Sequence, residues 1–188
     1  MKKHPLNPDA RKLEEKFFAE ENRLLLQRLR EKSDLEARRA AMREVMPTAD
    51  DAFVDHMLEL GIGPETALAV TFLPLVMVAW ADGEISPKER EALLKAAEER
   101  GVTPGSAACE VLGSWLEHKP GSELTEAWKR YVQTMRSDLS DEESGVMRER
   151  MLGLARGVAE AAGGFLGLTS KISEAEQKVL DELERALS

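Results

Sequence analysis

Apolar positions along this chain recur every three or four residues, and nowhere do they alternate with polar ones between turns. That spacing predicts helices throughout and no strand. The fold class is therefore all-α: a helical domain of about seven helices over residues 47–188, preceded by a long amphipathic N-terminal helical arm over 1–46. Asp9 can cap the arm, whose expected stripe is Leu13, Phe17, Leu24, Leu25 and Leu29. Ser33 with Glu36 can form a capping box that restarts the helix or merely continues it, and Pro47 ends it.

Punctuation in the body is equally regular. Thr48 with Asp51 opens a helix bearing Phe53, Val54, Met57 and Leu58 that closes at Gly61, and Gly63-Pro64-Glu65 opens the next. The stretch from Thr66 to Ala81 is uncharged, but at sixteen residues with Pro74 inside it is too short to span a bilayer, which needs about 20 apolar residues. It reads as one helix buried on all sides. Ser86-Pro87, Thr103-Pro104, Ser122, Ser140 with Glu143, and Ser173 with Glu176 mark the later starts.

Charge changes the picture by splitting it. Residues 1–46 carry twelve Lys/Arg against nine Asp/Glu, a net +3, whereas 47–188 carry fourteen against twenty-six, a net −12. An acidic body repels phosphate backbones, so no nucleic-acid partner is expected. The arm's stripe needs an apolar surface, supplied either by the oppositely charged body or by another chain, and a protein partner or self-association through the arm is the expectation. The single Cys109 lies in an apolar run and permits no intrachain disulfide. Met1-Lys2-Lys3-His4-Pro5 lacks the apolar core of a signal peptide, which places the expected location in the cytoplasm.

One internal repeat stands out. Ile85-Ser86-Pro87-Lys88-Glu89, leading to Leu93, is echoed by Ile172-Ser173-Glu174-Ala175-Glu176, leading to Leu180. Each copy follows an apolar helix rich in small residues, which reads as a duplication. The stretch from Leu75 through Ala81-Asp82-Gly83-Glu84-Ile85-Ser86 to Glu89 resembles the signature of the TerB-like domain family of tellurite resistance. The resemblance implies an all-helical domain of two degenerate repeats and a noncatalytic interaction or adaptor module linked to stress response or metal-related machinery. The second repeat departs from the pattern with Ala162-Gly163-Gly164 where the aspartate belongs, so no site drawing acids from both repeats is expected.

The remaining chemistry is sparse. Asp82 to Glu89 matches the later part of an EF-hand loop, but Val78 and Trp80 fall where its first two oxygen ligands belong. A looser divalent-cation site from Asp82, Glu84 and Glu89 is the alternative function, a sensor, with a divalent cation as the one candidate cofactor. The favoured reading of the same residues is a tight turn at Asp82 and a capping box completed by Glu89. His4, His56 and His118 stand in separate segments without zinc spacing, and no phosphate loop or nucleophile motif occurs. A scattered enzyme site is the weakest alternative. Gly153, Gly157 and Ala161 suggest close packing of one helix inside the domain, and Trp80, Trp115 and Trp128 suggest core anchors.

Overall fold

A computed structural model describes residues 8–162 and 172–188. Among them are nine α-helices: α1 (Pro8–Val45), α2 (Asp51–Glu59), α3 (Ala67–Val70), α4 (Leu73–Ala79), α5 (Pro87–Glu98), α6 (Ala107–Glu117), α7 (Ser122–Ser137), α8 (Asp141–Ala162) and α9 (Glu174–Ala186). The all-α reading holds, with no strand among the described residues. No helix among them is long and apolar enough to cross a membrane.

The chain divides into two compact units, 1–40 and 41–188. The second begins before Pro47 because Met42 and Met46, on and just beyond the last turn of α1, are buried in its core. Within the first unit α1 runs unbroken through Ser33. Glu36 sits beside Lys32 at 3.9 Å rather than in a capping box, so the helix continues there instead of restarting. Arg23 with Glu20 and Gln27 with Glu31 add further pairs three or four residues apart, the spacing that supports a solvated helix.

In the second unit the buried stretch is two short helices rather than one. Pro74 lacks the N–H that a continuous helix would need and instead takes the first turn of α4, where the missing donor costs nothing. This break accounts for eight helices, α2 to α9, where about seven were expected. Three predicted starts also move: Asp50, not Thr48, caps α2 through a 2.7 Å bond from the Phe53 N–H; Ser106, not Thr103, caps α6; and Gly121 precedes α7, leaving Ser122 as its first residue. Gly61 has φ +80°, and Ile62 N–H reaches back to the Met57 carbonyl at 2.9 Å, the closing geometry expected of a C-terminal glycine.

α4 packs on α5, α8 and α9, and α8 packs on α4, α5 and α9. Leu73, Leu75, Val76, Val78 and Ala79 are buried on α4, which explains why this segment carries no charge. Trp128 is buried as predicted, while Trp80 and Trp115 are half-buried and joined by a 2.8 Å bond from Trp80 Nε1 to the Trp115 carbonyl. Cys109 is also only half-buried. The Gly153/Gly157 ridge does not pack inside the domain: both residues are exposed, and a Cβ at either would meet nothing within 4 Å.

Candidate functional site

The duplicated segment supplies the most built-up polar feature of the body. Asp82 lies on the turn after α4, where its Oδ1 accepts the Glu84 N–H at 3.2 Å and Gly83 takes φ +97°, a conformation that favours glycine. Ser86 then caps α5: its Oγ accepts the Glu89 N–H at 3.2 Å while Glu89 Oε2 accepts the Ser86 N–H at 2.8 Å. Ser173 and Glu176 repeat both bonds at α9, at 3.2 and 2.6 Å. Both glutamates are buried, which is rare for a carboxylate and is made tolerable by these bonds to the cap backbone.

The packing is reciprocal in the manner of a two-fold pair. The first helix of one repeat, α4, packs on the second helix of the other, α9, and α5 packs on α8 in return. Equivalent positions therefore converge. Leu93 and Leu180 both enter the core, and Glu176 comes close enough to Glu89 for their charges to repel. Burial pushes the Glu89 carboxyl above its ordinary value; the Ser86 hydrogen bonds pull it back, and the charges of Glu176 and Asp82 push it up again.

One acid from each repeat thus feels the charge of the other. The second one comes from the cap rather than from the aspartate position. The Gly163-Gly164 departure itself lies outside the described residues. Asp82 and Glu84 are exposed, whereas the Glu89 carboxylate is turned back onto its own cap. Among the described residues no group of three or more His, Cys, Asp or Glu is placed to hold a metal ion, so Asp82, Glu84 and Glu89 are not brought together as a ligand set.

Two surface features escaped the sequence reading. An apolar groove of about 570 Å³ runs between the α3–α4 junction and the first half of α8, lined chiefly by Phe72, Leu75, Met147, Met151 and Leu154 with Arg150 at its edge. Its only sequence signal is the spacing of Met147, Met151 and Leu154 on α8. Between α2 and α7 a smaller cleft of about 290 Å³ holds His56, which is half-buried rather than a plain surface histidine. Its Nδ1 lies 3.8 Å from Glu59, and Phe53 and Tyr131 stack beside it at 4.6 Å between ring centroids. His118 is exposed at the end of α6, and His4 lies outside the described residues.

On the arm, Phe17, Leu24, Leu25 and Leu29 are all exposed, the three leucines at 40, 53 and 55%. The side chain of Leu13 lies outside the described residues. The five predicted residues do not form one line: at about 100° per residue, Leu13, Phe17 and Leu24 share one face, and Leu25 and Leu29 lie roughly a quarter-turn or more around the helix. No family model, curated protein or solved structure matches this chain.

Proposed function

We propose that this chain is a noncatalytic interaction module of the TerB-like type, in which the acidic body, 41–188, is a scaffold and the N-terminal arm is the docking element. The observation that carries the reading is the arm itself. Residues 1–40 make a unit of their own, and that unit presents Leu24, Leu25 and Leu29 exposed on a single helix. An isolated helix in water is marginal unless an apolar face is covered, so a helix this rich in exposed leucine is suited to association. The all-helical body and its paired Ile-Ser-x-x-Glu caps support the family type. The link to stress response or metal-related machinery rests on the resemblance.

Comparing the full chain with a chain of residues 41–188 tests the reading. The shorter chain is expected to melt at the same temperature and to lose association with itself or with a protein partner from the source cell. Unfolding of the shorter chain, or association identical to that of the full chain, refutes the docking role of the arm.

A further inference from the structure

The charges along α1 are segregated. Residues 8–22 hold three Lys/Arg against five Asp/Glu, a net −2, and residues 23–45 hold seven against four, a net +3. The leucines Leu24, Leu25, Leu26 and Leu29 cluster at the midpoint of the helix, which falls between Leu26 and Gln27. An acidic half, an apolar centre and a basic half form a pattern complementary to its own reversal.

We propose that the arm pairs with the arm of a second copy of this chain in antiparallel orientation, with Glu21 of each copy level with Lys32 of the other. The inference rests on the arm being the docking element and names its partner.

The register follows from the charges. Positions 14, 18, 21, 25, 28, 32, 35 and 39, in steps of four and three, fall along one side of α1; only Phe18, Leu25 and Leu35 among them are apolar, so the pairing rests on charge complementarity rather than on an apolar seam. Reversing the helix about its own midpoint sets Glu21 opposite Lys32 and, one heptad farther out, Glu14 opposite Arg39. The same reversal sets Phe18 opposite Leu35. It also lays the methylene stem of Arg28 along Leu25. Leu24 and Leu29 flank this seam, so the exposed leucines on either side of it gain cover.

Parallel in-register pairing fails on the same positions. It would set Glu14, Glu21, Arg28, Lys32 and Arg39 each against its own copy, placing like charges at five of the eight levels. A charged seam also limits strength, because solvated ion pairs stabilise weakly and are screened by salt. The expected dimer therefore dissociates on dilution and weakens as salt is raised.

The test is sedimentation equilibrium of the full chain, whose monomer mass is 20.9 kDa, over a range of concentration, with helicity followed by circular dichroism. Glu21→Lys and Lys32→Glu each convert two attractive contacts of the symmetric dimer into repulsive ones and are expected to weaken association roughly tenfold. The double variant Glu21→Lys/Lys32→Glu restores both pairs and is expected to dimerise like the wild type at unchanged helicity. A parallel dimer would not respond in this way, since each single swap there only exchanges one like-charge contact for another. A chain that is monomeric throughout, a dimer indifferent to the single swaps, or a double variant no better than the singles overturns the inference. A monomer that still needs residues 1–40 to hold a different protein would sink the self-pairing and leave the docking role of the arm intact.

Discussion

Ser86→Ala isolates what the repeated cap contributes. The substitution removes only the hydroxyl that accepts the Glu89 N–H at 3.2 Å; the return bond from the Ser86 N–H to Glu89 Oε2 at 2.8 Å survives, because its donor is backbone. One neutral hydrogen bond nets about 1 kcal/mol, in line with the 0.5–2 kcal/mol typical of losing a serine cap. The Ser86 hydroxyl also restrains the upward shift of the Glu89 carboxyl, so its loss leaves a buried acid less well satisfied. Ser173→Ala has the same geometry and the same expected cost.

Ser140→Ala provides an internal standard. Ser140 and Glu143 form the same reciprocal pair, at 3.3 and 2.9 Å, but Glu143 is exposed where Glu89 and Glu176 are buried, so water reaches the whole pair once the hydroxyl is lost. Its cost is expected near the bottom of the range, about 0.5 kcal/mol. In thermal unfolding of the full chain at neutral pH, Ser86→Ala and Ser173→Ala, whose cap glutamates are buried, are expected to lower Tm by about 2–4 °C each, since a chain of this size loses about that much per kcal/mol. If Ser86→Ala and Ser173→Ala both melt like the wild type, or if Ser140→Ala costs more than either, the structural argument for the repeat is wrong.

Glu89→Gln tests the buried acid: the raised carboxyl means that the folded chain holds its proton more tightly than the unfolded one, so Glu89 contributes stability at low pH that is lost as pH rises through the folded value. The Tm of Glu89→Gln relative to wild type is therefore expected to climb from about pH 4 to about pH 7, and a difference flat across that range refutes the assignment. Glu89→Gln and Glu176→Gln are expected to be non-additive at neutral pH, because either one relieves the repulsion between the pair; a double-mutant cycle with no coupling shows that the two repeats do not communicate there. Leu93→Ala and Leu180→Ala, at equivalent and fully buried positions, are each expected to cost about 2–5 kcal/mol in denaturant melts, and a marginal loss at either would show that it is not core. Gly83→Ala places a Cβ at φ +97°, and it is expected to destabilise by about 1 kcal/mol although the space around it is open; a neutral Tm contradicts the strain argument.

The sequence made the helices readable wherever the signal was local. Ser86, Ser140 and Ser173 cap as read because a capping box closes within four residues and needs no tertiary partner. Thr48, Thr103 and Ser122 were displaced because each has a competing cap or glycine within three residues on one side or the other, and the choice depends on where the helix must lie to bury its apolar face. Pro74 was visible, yet its effect was not: a proline can kink a helix or begin a new one, and here packing around α4 decides for a new start. The groove beside α8 draws on two elements some seventy residues apart, so no local window contains it.

The acidic pair shows where local reading stops and symmetry takes over. Each cap glutamate, taken alone, is an ordinary N3 residue that turns back to its own helix start. Duplication puts two such residues at equivalent places, and reciprocal packing of α4 on α9 and α5 on α8 then brings equivalent places together. Repulsion between Glu89 and Glu176 is thus a consequence of the fold's internal two-fold pattern, present even though the second repeat carries glycines where the first has Asp82. Because each glutamate also satisfies an N–H at its own cap, neither can be replaced by an apolar residue without removing that half-buried bond, at a cost of about 1 kcal/mol. The carboxylate that caps each helix is also the one that faces its counterpart's charge, which is why the pH dependence of stability, rather than a static distance, is the measurement that separates an acid retained only as a cap from one the repeat has coupled to its counterpart.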